Sequence, residues 1–241
     1  MASARFLPSG DTAIVVEFGD RIDRELNARV LRLSQLVRAE RVDGVVETLP
    51  TFRSLLVHYD PLLTDRARVV AALERLLERA GGGAGRSRAW RIPACYEDGH
   101  APDLAEVAQR TGLAAEEVVR LHSGTRFHVY MVGFSPGFPY MGNLPDALVL
   151  PRRVDPRVRV PAGSIAIAMS LTAIYPVESP GGWHLIGATP VRLFDARWPR
   201  PALLAPGDIV TFEPIPAREF EAIRAAVAAN GYDLASEAVE A

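Results

Sequence analysis

Residues 81–88 read Gly-Gly-Gly-Ala-Gly-Arg-Ser-Arg, and this run separates two stretches of different grammar. Glycine loses more backbone entropy on ordering than any other residue, so such a run reads as a flexible linker. The expected layout is an N-terminal domain over 1–80, a linker over 81–89 and a C-terminal domain over 90–241.

Ahead of the linker, strands and helices alternate. Thr12 to Phe18 (TAIVVEF) is rich in β-branched residues and predicts a strand. Ile22, Leu26, Val30, Leu33 and Val37 then recur at helical spacing, with Asp20 or Asp23 as the N-cap. Val45–Leu49 and Ser54–Tyr59 predict two strands joined by a turn at 50–53. Thr64 or Asp65 opens a second helix with Val69, Leu73, Leu76 and Leu77 on one face. The order β-α-β-β-α is most of a ferredoxin-like α/β sandwich. Trp90–Tyr96 (WRIPACY) fits either its closing strand or the first strand of the next domain.

Behind the linker, Pro102 begins one short helix that Gly112 ends, and Ala114–His122 forms another. From Phe127 the grammar changes to short apolar runs separated by Gly/Pro clusters: FHVYMVGF, SIAIAM, HLIGAT, VRLFDA and DIVTFEPI. Such spacing predicts a closed or sandwiched all-β domain. A last amphipathic helix, Ala217–Asn230, stops at Gly231. The fold class is therefore α+β.

Composition excludes several functions. The 241 residues carry 27 basic against 29 acidic side chains, a net charge of -2, so no basic field for nucleic acid exists. All the basic residues are arginine; without lysine there is no P-loop and no Schiff-base chemistry. Cys95 is the only cysteine, and the five histidines are scattered, so no metal site is expected. No signal-like or membrane-spanning apolar run stands out, which predicts a cytoplasmic location.

Three clusters are candidates for chemistry. Residues 133–142 (GFSPGFPYMG) interleave glycine, proline and aromatics, which suits either a rigid plug or a pocket wall built on Phe134 and Phe138. Val160-Pro161-Ala162-Gly163-Ser164 follows Arg152, Arg153, Arg157 and Arg159; N–H groups of Gly163 and Ser164 beside a guanidinium would suit a carboxylate or phosphate, against a plain solvated rim. Residues 175–184 (YPVESPGGWH) gather Tyr175, Glu178, Ser179, Trp183 and His184 around a Gly-Gly turn.

The runs GFSPGFPYMGNLP, LPRRVDPRVRVPAGSIAIA, TAIYPVESPGGWHLIGATP and LLAPGDIVTFEPI together resemble the family of 5-oxoprolinase B subunits, also labelled allophanate hydrolase subunit 1 and including the kinase inhibitor KipI. The resemblance implies a C-terminal cyclophilin-like β-barrel. It further implies a non-autonomous subunit that, with a C subunit (allophanate hydrolase subunit 2 type) and an A subunit, opens 5-oxo-L-proline with ATP. ATP would then sit at a shared or partner-supplied site. Carried onto this chain, His122, Arg157 and Ser164 are the catalytic candidates, and Phe134, Phe138, Gly163, Tyr175, Ser179 and Trp183 the substrate-binding ones, with no metal. The family's Gly-x-Gln-Thr-Gly is Met169-Ser170-Leu171-Thr172-Ala173 here, which implies altered specificity or a regulatory binder that inhibits a sensor kinase. A prolyl isomerase reading rests on fold analogy alone.

Overall fold

The structure, a computed structural model, describes residues 4–79 and 86–240. Residues 81–85 of the expected linker lie outside the described residues, as does residue 80 before it. The chain divides into two compact units, one running up to Arg86 and the other over Ser87–Val239. Among the described residues no helix is long and apolar enough to cross a membrane.

The first unit consists of β1 (Arg5–Pro8), β2 (Ala13–Glu17), α1 (Arg24–Glu40), β3 (Val45–Pro50), β4 (Ser54–Tyr59) and α2 (Arg66–Arg79). Asp23, not Asp20, caps α1: its Oδ1 accepts the N–H of Glu25 at 3.0 Å and of Leu26 at 3.1 Å. Asp65 does the same for α2, accepting the N–H of Arg68 at 2.9 Å. Ile22 precedes the helix and is exposed, so the buried stripe begins with Leu26 and Val30. Alternate residues of β2 and β4, Ile14, Val16, Leu55 and Val57, face Val30, Leu33, Val37, Val69 and Leu73 in one apolar core.

The sheet order is β1-β2-β4-β3, with every pair antiparallel. The edge place offered to Trp90–Tyr96 is thus filled by β1, a strand the sequence did not announce. Four residues at a sheet edge, with burial alternating only weakly, leave no periodic signal. Pairing, including the Arg5–Glu17 ion pair opposite it, holds β1 in place.

Residues 86–89, expected to end the linker, instead begin β5 (Arg86–Ala94). This strand runs parallel to β13 (Ile209–Pro214) and belongs to the second unit. Between them come α3 (Leu104–Thr111), α4 (Ala115–Ser123), β6 (Phe127–Val132), β7 (Pro139–Gly142), β8 (Arg157–Val160), β9 (Ser164–Ala168), β10 (Leu171–Ile174), β11 (Ser179–Gly181) and β12 (His184–Ala188). After β13 follow α5 (Ala217–Ala228) and β14 (Ser236–Glu240). Helix α5 ends at Ala228, and Asn230, not Gly231, takes the left-handed conformation (φ 55°). The expected strand VRLFDA is not one: within it only Phe194 forms a bridge, to Ala202, in a segment where Pro190, Pro199 and Pro201 withdraw N–H donors.

The eight-stranded sheet has the order β12-β9-β10-β7-β6-β13-β5-β14 and no ladder closes it, so the expected cyclophilin-like barrel is corrected to an open, strongly curled sheet. A single bridge does join its two sides, with Cys95 and Ala188 exchanging N–H···O bonds of 2.8 and 2.9 Å. β12 stops there, since Pro190 has no N–H with which to extend the pairing.

Strand β9 shows why the sheet has two apolar sides. Ile165 and Ile167 enter a large core with Trp90, Phe127, Met141, Ile174, Ile186 and Phe212, while Ala166 and Ala168 enter a smaller one with Phe138, Tyr175 and Trp183. All five residues of the strand are buried, so it reads as an unbroken apolar run.

Candidate functional site

The three expected catalytic residues do not meet at a site. His122, on the last turn of α4, is completely buried in the large core and stacks on Phe212 at 4.7 Å. Its hydrogen bonds fix its tautomer. Thr172 Oγ1 donates to the carbonyl of Ala166 (3.1 Å), so it accepts from His122 Nε2–H (2.9 Å). Nδ1 is left as the acceptor for the Tyr96 hydroxyl at 2.8 Å. Burial pushes the imidazole pKa down to about 3 and raises that of Tyr96. The ring is therefore neutral at physiological pH and sealed from solvent, so it cannot touch a substrate in this conformation.

Arg157 is committed elsewhere too. Its two terminal nitrogens grip Asp103 at 2.8 and 2.6 Å. The Asp103 carboxylate, buried just ahead of α3, also accepts Arg153 (3.3 Å) and the N–H of Leu185 on β12 (2.7 Å). Arg153 extends the cluster to Glu106 at 2.8 Å. The cluster thus ties α3 to β8 and β12 through charge-assisted bonds, and Arg157 has no fork left for an anion.

The expected N–H donors of the Gly163–Ser164 turn are likewise occupied. Gly163 donates to the carbonyl of Tyr175 at 2.7 Å and Ser164 to that of Pro161 at 3.3 Å. Glycine is required at 163 because φ is +85° and a Cβ would collide with the carbonyl of Thr189. The motif is a tight crossing of backbones rather than an oxyanion hole.

The substrate-binding candidates fare differently, because most of them do come together. Phe138 packs against Tyr140 (4.9 Å between centroids), Tyr175 (5.1 Å) and Trp183 (6.0 Å), and Phe134 against Phe138 (5.3 Å). Edge-to-face geometry holds the rings in defined orientations. Phe134 stands 65% exposed with a left-handed backbone (φ 68°), at the rim of the bed. Gly181 on β11 lets the Tyr175 hydroxyl lie against bare backbone, where any Cβ would strike it. Burial, with Tyr140 nearby, pushes the Tyr175 hydroxyl up to about 12. It stays protonated and able to donate. Among the described residues the Ser179 and Ser135 hydroxyls are buried without hydrogen-bond partners.

Leu171, which stands where the family carries glutamine, packs on the edge of this aromatic cluster, and Ala173 lies inside it. Met169 is exposed in a left-handed turn (φ 55°) and Thr172 is the hydroxyl that orients His122. The arrangement is a rigid aromatic bed with neutral hydroxyls and no nucleophile–base pair. Phe138, Tyr175 and Trp183 are themselves almost fully buried, so the cluster is a packed aromatic core with Phe134 exposed at its rim. Sequence reasoning missed Asp103 and Tyr96 as organisers, although Asp103 follows a helix-starting Pro102 and accepts what the arginines of the 152–159 stretch supply. It also missed Asp208, whose carboxylate accepts the N–H groups of Arg88 and Ala205 and the indole of Trp90.

The chain matches a protein-family model described as carboxyltransferase domain, subdomain C and D, over residues 4–204. It is 37% identical over 229 residues to the 5-oxoprolinase B subunit of Bacillus subtilis, covering 89% of this chain and 94% of that protein. Among solved structures, TTHA0988 superposes with a TM-score of 0.76 at 36% identity, over 85% of this chain. The match takes up 40% of TTHA0988. The urea amidolyase of K. lactis shares the fold, with a TM-score of 0.82 at 21% identity, over 98% of this chain and 16% of that one. In both, a region like this chain is joined to further sequence. The chain belongs to the carboxyltransferase subdomain C and D family, and its relatives include 5-oxoprolinase B subunits.

Proposed function

We propose that the protein is the B subunit of an ATP-dependent amide hydrolase, 5-oxoprolinase, converting 5-oxo-L-proline, ATP and water to L-glutamate, ADP and phosphate. The observation that carries this reading is the match to a 5-oxoprolinase B subunit across 94% of that protein's length. The aromatic cluster is compatible with it only through its rim, where Phe134 is exposed, and a lactam would reach the Tyr175 hydroxyl once the packing around it opens. A five-membered lactam resists water, and phosphorylating its oxygen makes the ring carbon a better electrophile: water adds there, the C–N bond opens to leave an acyl phosphate, and a second water releases phosphate from it.

The residues at this bed do not fit a triphosphate. Arg153 and Arg157 are bound to Asp103, and the Gly163 and Ser164 N–H groups are used within the fold. In this proposal ATP sits at a site shared with or supplied by a partner subunit, and the chain acts together with subunits of the A and C types. No step of phosphoryl transfer is assigned to this chain's own side chains.

The test is co-expression with a cognate C subunit, addition of the A subunit, and measurement of 5-oxoproline-dependent ATP hydrolysis. Turnover is expected only from the complete set, and turnover by the chain alone would sink the proposal. Tyr175→Phe in the complete complex removes one hydroxyl contact and is expected to raise KM about tenfold. Leu171→Gln restores the family's amide beside the bed and is expected to raise turnover of 5-oxoproline. A stable complex inactive on 5-oxoproline, before and after Leu171→Gln, would favour an allophanate- or urea-type amide instead. Failure to form any complex would favour the kinase-inhibitor reading, to which Leu171 is indifferent.

A further inference from the structure

Within the second unit a cavity of about 590 Å³ opens beside the start of β5, lined also by the 191–203 segment and the residues after α5. None of the candidate site residues lines it. Its base is Trp90, whose indole N–H donates to Asp208 Oδ2 at 2.9 Å. The same carboxylate takes the backbone N–H of Arg88 at 3.0 Å, so one buried group pins both residues. The Arg88 guanidinium lies over the Trp90 ring, 5.8 Å from its centroid, and among the described residues it has no carboxylate partner. It donates one long hydrogen bond, 3.5 Å, to the Ser236 hydroxyl.

A second guanidinium, Arg192, lines the same cavity. It bonds Asp195 at 2.8 Å, but Asp195 also holds Arg197, so two positive charges share one negative. Trp198 and Tyr232 add aromatic walls, and Asp233 places one carboxylate among the lining residues. The cavity thus sets anion donors beside flat rings, with one acceptor nearby. A guanidinium already stacked on an indole is held in place before a ligand arrives, which lowers the ordering cost of binding.

We propose that this cavity binds a small molecule that joins an amino-bearing flat ring to an anionic group, with Arg88 and Arg192 taking the anion and Trp198 and Tyr232 taking the ring. The chemistry is shared by a nucleoside monophosphate and an aminoaromatic carboxylate. The inference rests on the cavity alone and is independent of the amide-hydrolase reading, since binding to the isolated chain needs no turnover.

The test uses the full chain by itself. Adenosine 5′-monophosphate and 4-aminobenzoate are titrated calorimetrically, with adenosine and ribose 5-phosphate as the ring-only and anion-only controls. At least one ring-bearing anion is expected to bind about tenfold or more tighter than either control. Its indole N–H resonances should report contact at Trp90 and Trp198 while that of Trp183 stays fixed. Arg88→Gln should weaken binding about tenfold with the circular dichroism unchanged. Trp198→Ala, in a less buried wall, supplies a second variant should Arg88→Gln fold poorly, and it too should weaken binding. Whichever anion binds more tightly names the source. The inference is overturned if no probe binds at millimolar concentration, if ribose 5-phosphate binds as well as the ring-bearing anions, or if both variants bind like the unaltered chain.

Discussion

Two buried polar clusters in the 87–239 unit meet the cost of burial in opposite ways. Around Asp103 the groups are charged: one carboxylate holds two guanidiniums and a backbone N–H between α3, β8 and β12. Around His122 they are neutral: a phenol, an imidazole and a hydroxyl pass hydrogen bonds in one direction from Tyr96 to the carbonyl of Ala166. Both clusters draw on residues that resemble family motifs, and in both those residues hold elements together. A motif residue with its bonds fully used inside the fold is evidence about architecture first. The same holds for the aromatic cluster of Phe138, Tyr175 and Trp183, whose rings are packed against one another inside the fold.

The contrast can be broken by substitution. Asp103→Asn should have the largest effect, because it leaves Arg157 partly buried without its counter-charge and Arg153 with Glu106 alone. Losing one partner of a buried ion pair costs about 3–5 kcal/mol, to be read from urea unfolding of the second unit's transition. His122→Gln should cost roughly 2–3 kcal/mol, through the lost ring packing on Phe212 and an imperfect replacement of two hydrogen bonds.

The neutral cluster also predicts a pH dependence that sharpens the difference. The unfolded histidine takes its proton near pH 6.5, and the folded one only near 3, where burial has pushed it. Between those values the unfolded chain binds more protons, so His122 lowers stability as the pH falls through that window and contributes no slope above it. His122→Gln should flatten the part of the acid-side slope that His122 supplies, and an unchanged slope would show that the imidazole is not held neutral.

Gly163→Ala should come next, at about 1–3 kcal/mol, since φ of +85° is strained for any side chain and the new Cβ meets the carbonyl of Thr189. Its effect should appear in thermal melting and not in any anion affinity, because the Gly163 N–H is already donated to Tyr175. The smallest change is expected for Arg159→Ala. Its pair with Glu178 at 2.7 Å is largely exposed, so the unfolding midpoint should not move measurably.

Some of this was legible in the sequence. The helices α1 and α2 announced themselves by apolar spacing and capping aspartates, and the change of grammar at Phe127 marked the β-rich unit. The edge strand β1 and the open ends of the eight-stranded sheet did not. A four-residue strand has too few positions to show a period, and whether a curled sheet closes depends on two distant strands meeting in register. Phe138, Tyr175 and Trp183 stood out by lying in glycine- and proline-rich runs that resemble the family's, where either a rigid plug or a pocket wall was open, and the structure packs them together as a buried cluster. His122, Arg157 and Ser164 were not brought together, because residue type and order carry no information on which partner each group bonds.

The sequence by itself determined the α+β composition, the absence of lysine chemistry and the positions of the first unit's core, which follow from local periodicity and residue inventory. The family came instead from the resemblance of its four motif runs. Only the tertiary structure decided that Asp103 neutralises the arginines, that His122 is sealed with a fixed tautomer, and that Asp208 pins Arg88 and Trp90 beside a cavity. Each of these depends on groups 26 to 120 residues apart in sequence reaching hydrogen-bond distance, which folding alone arranges.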